Sequence, residues 1–112
     1  MSLAKTMFWR RVNKITATEA MALREKSDVT FIDVRLPRHF AQSHIEGARN
    51  IHRKTVAEEM RSADRAHPVI CYCYSGFSSK TACVNLERAG FQKVYNLKGG
   101  YPAWKRASKR TS

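Results

Sequence analysis

The sequence predicts an α/β fold in which helices cover both faces of one parallel sheet. Short, β-branched apolar segments alternate with helical segments along the 112 residues. These apolar segments lack the strict alternation of a half-exposed sheet, which is typical of strands buried on both faces. The helical segments also carry recognisable caps. A chain of this length suits one domain with a modest core, so we expect residues 1–112 to form a single domain.

Each element has its own signal in the sequence. Thr16 and Glu19 form a capping box that opens a first helix over residues 16–26, and the β-branched segment 28–35 follows as a buried strand. Gly90 is placed to end a later helix, with Phe91 packing back on it. The remaining elements are expected to be a short helix from Pro37, a strand at 48–51, a helix at 54–65, a strand at 69–73, a helix at 79–89, a strand at 93–97 and a helix at 101–110.

The charge of the chain is strongly positive and uneven. Its formal net charge is +12, no acidic residue precedes Glu19 or follows Glu87, and residues 88–112 carry seven Lys or Arg. A surface of this kind favours solubility, or attracts anionic substrates and acidic partner proteins. No nucleic-acid-binding motif accompanies the charge, so we do not expect nucleic acid as a partner.

The sequence also argues against a membrane protein. No apolar run approaches the roughly 20 residues that a bilayer-spanning helix needs. The first residues are interrupted by Lys5 and followed by Arg10 and Arg11, which does not match the order of regions in a signal peptide. We therefore expect a cytoplasmic protein with reduced cysteines.

Cys73 is the candidate nucleophile because it lies where a buried strand gives way to the loop Tyr74-Ser75-Gly76-Phe77-Ser78-Ser79 and then to a helix. The N–H groups at a helix N-terminus and in a curled loop can converge on an anion, and a thiol at their centre has a lowered pKa. Gly76 lets the backbone curl around the sulfur. The alternative is an inert, buried strand cysteine.

The other two cysteines are expected to belong to the core. Cys71 precedes Cys73 by two residues and lies deeper in the sheet, and the two are too far apart on a regular strand for an unstrained disulfide, although a redox pair remains an alternative. Cys83 lies on the apolar face of the following helix. The spacing of the cysteines and histidines predicts no metal site.

The chain resembles the rhodanese family, in particular the small single-domain bacterial thiosulfate sulfurtransferases. The resemblance spans about residues 12–106, leaving basic extensions at both ends, and is carried by three segments. These are Ile32-Asp33-Val34-Arg35 with Phe40, His44-Ile45 and Gly47-Ala48; the loop Cys73–Ser79; and Leu97-Lys98-Gly99-Gly100 with Trp104.

The resemblance implies a three-layer α/β/α fold with a five-stranded parallel sheet. It implies that Cys73 accepts a sulfane sulfur from thiosulfate or a similar small anionic donor, as a persulfide held by the loop Tyr74–Ser79. The sulfur then passes to cyanide or to a thiol acceptor of the thioredoxin or sulfur-carrier type. No cofactor or metal is implied.

The loop departs from many relatives because it contains no Arg or Lys between Cys73 and Ser79. Lys80, Arg35 and Lys98 are the candidates for the missing positive charge, although a residue of this kind is more often a plain surface cation. Phosphatases related to this fold use Cys-x5-Arg, but the sixth residue after Cys73 is Ser79, so the phosphate clamp is missing. The remaining alternative is a rhodanese-like binding or sulfur-relay module that serves an acidic protein partner, with little turnover of thiosulfate and cyanide.

Overall fold

A parallel five-stranded sheet forms the centre of the molecule. The computed structural model describes residues 12–111, with side chains as far as residue 110, so the basic stretch at the N-terminus lies outside the described residues. The strand order is β1-β5-β4-β2-β3, with all pairs parallel, which confirms the predicted α/β class. The strands are β1 (Lys14–Ile15), β2 (Thr30–Asp33), β3 (Arg49–Asn50), β4 (Val69–Tyr72) and β5 (Val94–Leu97).

Within the described residues, four helices connect successive strands and a fifth follows β5, and together they cover both faces of the sheet. They are α1 (Ala17–Lys26), α2 (Pro37–Gln42), α3 (Val56–Glu59), α4 (Ser78–Arg88) and α5 (Gly100–Thr111). None of the helices in the described part of the chain is long and apolar enough to cross a membrane.

Two apolar clusters lie on opposite faces of the sheet because successive strand residues point to opposite sides. Ile32 and Cys71 pack in the cluster that also contains residues of α3 and α4. Phe31 and Ile70 pack with residues of α1 and α5 in the second cluster. Strand β4 is buried along its whole length, so the chain that follows it emerges from the middle of the sheet.

Several predicted boundaries are confirmed by hydrogen bonds. The Glu19 N–H donates to Thr16 Oγ1 over 3.1 Å, and the Thr16 N–H donates to the Glu19 carboxylate over 2.9 Å, so the capping box opens α1. Gly90 has a φ of 98°, and the Phe91 N–H donates to the Leu86 carbonyl over 3.1 Å at the end of α4. These contacts are local, which is why sequence motifs could predict them.

The helix predicted over residues 54–65 was wrong in extent, since α3 covers only Val56–Glu59. After Met60 the chain continues in backbone turns, such as the bond from the Ala63 N–H to the Met60 carbonyl, and side chains bond to other backbone groups. The Arg65 guanidinium donates to the carbonyls of Arg61, Ala63 and Ala89, and the Ala66 N–H donates to the Asp64 carboxylate. Such contacts compete with the regular helical pattern.

Strand β1 was not predicted from the residue pattern. It has only two residues, and it is defined by its pairing with β5. The Asn96 N–H donates to the Asn13 carbonyl and the Lys98 N–H donates to the Ile15 carbonyl, both over 2.8 Å. A segment this short carries no periodicity, so only the family resemblance predicted the fifth strand.

Candidate active site

Cys73 lies directly after the central strand β4, at the carboxyl edge of the sheet where ligands bind in open α/β folds. Its side chain is 2% exposed. The Gly76 N–H donates to Cys73 Sγ over 3.1 Å, and the Ser79 hydroxyl donates to the same sulfur over 3.2 Å. The loop predicted from the sequence therefore curls around this sulfur.

The environment of Cys73 lowers the pKa of its thiol. Burial is the largest single influence and raises the pKa, because it disfavours the charged thiolate. Hydrogen bonds from the Ser79 side chain and from the backbone of Ser79, Ser75 and Gly76 together outweigh burial. The net result is a pKa below the ordinary value, which favours the nucleophilic thiolate.

The first turn of α4 contributes to this effect. The residue before the helix is Phe77, which makes no side-chain hydrogen bond to the helix end. The first N–H groups of a helix lack partners within the helix and carry a partial positive charge. The Ser79 N–H is one of them, and it is among the groups that lower the Cys73 pKa.

Asn96 on β5 holds the two donors of the sulfur in place. Its Oδ1 accepts a hydrogen bond from the Ser79 hydroxyl over 2.6 Å, and its Nδ2 donates to the Gly76 carbonyl over 2.8 Å. Sequence reasoning did not single out Asn96. The available signal was a buried polar residue in an otherwise apolar strand, because a buried amide needs hydrogen-bonding partners.

The start of helix α5 packs against the backbone of the Cys73 loop. The Tyr101 N–H donates to the Cys73 carbonyl over 2.9 Å. Gly100 has a φ of 62°, and a Cβ at this position would lie 2.6 Å from the Cys73 carbonyl oxygen. The backbone of the Gly99-Gly100 motif can therefore approach the cysteine only because Gly100 has no side chain.

Arg35 is buried next to the site and is already paired. Its guanidinium donates to both carboxylate oxygens of Asp33, with the shortest contact 2.8 Å, and also donates to the Ser43 carbonyl. Its guanidinium carbon lies 4.3 Å from the centre of the Tyr101 ring. Asp33 thus balances the charge of Arg35, which makes Arg35 an anchor between β2 and α5.

Lys80 and Lys98, the other two predicted cations, are exposed. Lys80 lies in the first turn of α4, where it lines a cavity of about 540 Å³ together with Lys14 and Asn96. Lys98 directly follows β5. Both therefore lie near the carboxyl edge of the sheet, and their role in attracting an anion stays a prediction.

Cys71 and Cys83 are buried, free thiols in the apolar cluster below α4. A hydrogen bond with Cys71 and then burial raise the pKa of the Cys83 thiol well above its ordinary value. Their prediction as core residues is confirmed. Among residues 12–111, no group of three or more His, Cys, Asp or Glu side chains is arranged to hold a metal ion.

Together these features define a class of small α/β domains in which a cysteine with a lowered pKa directly follows the central strand and is surrounded by the backbone N–H groups of a loop. The sequence profile of the rhodanese-like domain matches residues 16–107. The chain belongs to the rhodanese family, so the resemblance inferred from the three motifs is confirmed.

Relatives and solved structures agree with this assignment. The chain is 38% identical over 92 residues to thiosulfate sulfurtransferase GlpE of Pseudomonas putida, covering 82% of this chain and 84% of the relative. It is 36% identical to thiosulfate sulfurtransferase GlpE of Coxiella burnetii, and the match covers 82% of this chain and 86% of the relative. The structure of a rhodanese-like domain protein from Staphylococcus aureus has a TM-score of 0.73 at 28% identity, and the match covers 83% of this chain and 91% of that protein. The structure of the rhodanese-like domain from the Anabaena protein Alr3790 has a TM-score of 0.75 at 25% identity, and the match covers 87% of this chain and 76% of that domain.

Proposed function

We propose that this sulfurtransferase of the rhodanese family carries a sulfane sulfur on Cys73, from thiosulfate or a similar small anionic donor to cyanide or a thiol. The observation that carries the proposal is the position of Cys73 Sγ, within 3.2 Å of both the Gly76 N–H and the Ser79 hydroxyl. The relatives named thiosulfate sulfurtransferase support thiosulfate as the donor.

In the first step, the Cys73 thiolate attacks the outer sulfur of thiosulfate. A new bond forms between Cys73 Sγ and that sulfur, the sulfur–sulfur bond of thiosulfate breaks, and sulfite leaves with the bonding electron pair. The product is a Cys73 persulfide anion. The loop amides and the end of α4 stabilise this anion by hydrogen bonding and by their partial positive charge.

In the second step, a nucleophile attacks the outer sulfur of the persulfide. With cyanide, the product is thiocyanate, and the electron pair of the broken bond returns to Cys73 as a thiolate. The cycle is balanced without an external oxidant or reductant, and it requires no cofactor or metal.

Intact-mass spectrometry tests the proposal directly. Thiosulfate should add about 32 Da, one sulfur atom, to the chain, and cyanide should remove it. Cys73→Ser should take up no sulfur, whereas Cys83→Ala, which changes a buried thiol elsewhere, should still be loaded. An adduct that persists in Cys73→Ser assigns the chemistry to another residue.

A second candidate function is a sulfur-relay module that serves an acidic protein, such as a thioredoxin or a sulfur carrier, with little turnover of thiosulfate and cyanide. The absence of any cation between Cys73 and Ser79, together with the net charge of +12, favours it. A persulfide that reaches a protein thiol much faster than it reaches cyanide would support this candidate.

A further inference from the structure

Exposed apolar side chains are concentrated at the mouth of the Cys73 loop. Over residues 12–110, the exposed large hydrophobic side chains are Leu36, Tyr74 and Phe77, which are 49%, 44% and 84% exposed. Tyr74 and Phe77 belong to the loop itself, and the Leu36 N–H donates to the Tyr74 hydroxyl oxygen over 3.1 Å. Apolar area that gathers around a reactive group is typical of an interaction site.

A basic flank adjoins this apolar mouth. Tyr74 and Tyr101 line a cavity of about 270 Å³ together with α5 residues that include the exposed cations Lys105 and Arg106. The Lys105 Nζ lies 5.7 Å from the centre of the Tyr101 ring, which directs this cation towards the loop side of the helix. No acidic residue occurs after Glu87, so α5 carries no carboxylate to offset these charges.

We propose that these five residues, Leu36, Tyr74, Phe77, Lys105 and Arg106, form a docking face for an acidic protein segment that carries the acceptor cysteine. The inference rests on the proposed function and names the acceptor for the same site. Cyanide and small thiols need only the sulfur, and they would leave the exposed Phe77 ring without a contact. A protein segment can cover the apolar mouth while its carboxylates lie along α5.

The docking face serves the transfer step. The acceptor thiolate attacks the outer sulfur of the Cys73 persulfide and forms a new sulfur–sulfur bond, while the bond to Cys73 Sγ breaks. The electron pair of that bond returns to Cys73 as a thiolate, and the outer sulfur leaves as the persulfide of the acceptor. The sulfane sulfur keeps its oxidation state, so no further reactant is needed.

Two synthetic peptides test the charge requirement. Each contains one cysteine beside a leucine; the first is flanked by glutamates, and the second carries glutamines at the same positions. The chain is loaded with thiosulfate, desalted and mixed with each peptide, and the second-order transfer rate is measured by quenched mass spectrometry. At low salt, the acidic peptide should react about tenfold faster or more, because complementary charge raises the encounter rate.

Matched variants locate the effect. Lys105→Gln with Arg106→Gln should abolish most of the preference for the acidic peptide. Arg88→Gln with Lys93→Gln removes the same charge at two exposed positions, one at the end of α4 and one just before β5, away from the Cys73 loop, and should keep the preference. Phe77→Ser should slow both peptides and leave their ratio unchanged.

The outcomes separate the two proposals. If thiosulfate loads no sulfur onto Cys73, the proposed function fails. If the persulfide forms but both peptides react equally, or if both charge pairs change the ratio to the same degree, the docking face is wrong while the proposed function stands.

Discussion

Asn96 Oδ1 lies 2.6 Å from the Ser79 hydroxyl oxygen, the same oxygen that contacts the Cys73 sulfur. Ser79 has a single hydroxyl proton, so it can donate to only one of these two acceptors at a time. When Cys73 is a thiol, its S–H can donate to Ser79 while Ser79 donates to Asn96. When Cys73 is a thiolate, the Ser79 proton can turn to the sulfur, and Asn96 loses a partner. Asn96 thereby acts as a positioning residue for the ionisation of Cys73.

Asn96→Asp should raise the Cys73 pKa, because a carboxylate behind Ser79 disfavours a second negative charge and holds the Ser79 proton more tightly. At pH values below the Cys73 pKa, such a rise leaves a smaller fraction of thiolate. The rate of iodoacetamide labelling of Cys73 against pH measures this change. Asn85→Asp adds the same charge where the side chain contacts the Arg53 carbonyl, and should leave the profile unchanged. Equal profiles for wild type and Asn96→Asp would rule out the positioning role.

The lowered pKa of Cys73 should also appear in the pH dependence of stability. In the pH range between the folded pKa and the ordinary thiol pKa of about 8.5, the unfolded chain binds more protons than the folded chain, so this group stabilises the fold increasingly as pH rises. The contribution is fully present above the unfolded pKa and is lost as pH falls through the folded pKa.

Urea unfolding of the reduced protein at a series of pH values gives the free energy of unfolding for wild type and for Cys73→Ser. The difference should change in favour of wild type as pH rises through this range. The main causes of the raised Cys83 pKa are Cys71 and burial, and Cys73→Ser keeps both, so most of the Cys83 contribution cancels in the difference. A difference that is constant with pH would mean that Cys73 has an ordinary pKa in the folded chain.

Gly100→Ala should displace the Cys73 loop. The new Cβ would lie 2.6 Å from the Cys73 carbonyl oxygen and 2.7 Å from the Tyr74 carbonyl, and both are backbone atoms that cannot swing aside. Gly47→Ala is the matched control, since Gly47 also has a positive φ, of 83°, but nothing lies within 4 Å of its added Cβ. Thiosulfate loading measured by intact mass should fall strongly in Gly100→Ala and persist in Gly47→Ala. Equal loading in the two variants would show that the close approach has no role.

How far the sequence could predict this molecule depends on the range of the contacts involved. The capping box of Thr16 and Glu19 and the helix end at Gly90 are local, so motifs predicted them. The position of Cys73 followed from one strand, one loop and one helix that are consecutive in the chain. By contrast, Asn96 forms hydrogen bonds with Gly76 and Ser79, which precede it in the sequence by 20 and 17 positions. No local pattern encodes such a contact.

Arg35 is a second residue whose contacts the sequence could not predict. The sequence placed it near the site as a candidate free cation, but its pairing with Asp33 depends on both side chains being buried together at the end of β2.

Arg35→Gln should destabilise the chain by about 3–5 kcal/mol, because it leaves the Asp33 carboxylate buried without its partner. Arg61→Gln breaks an exposed ion pair with Glu58 and should cost at most about 1 kcal/mol. Urea unfolding compares the two, and similar losses would show that burial of the Asp33–Arg35 pair carries no special cost.

The last prediction concerns how an anionic donor reaches a loop that has no cation of its own. Since Asp33 balances Arg35, the long-range attraction comes from exposed cations, and Lys80 and Lys98 are two of those that lie at the carboxyl edge of the sheet. The kcat/KM for thiosulfate should fall as salt shortens the Debye length from about 10 Å at 0.1 M to about 3 Å at 1 M. Lys80→Gln and Lys98→Gln should lower kcat/KM at low salt and flatten its salt dependence, whereas Lys93→Gln at the opposite edge should change neither. If all three variants keep the wild-type salt dependence, the amides around Cys73 and the end of α4 suffice to capture the donor.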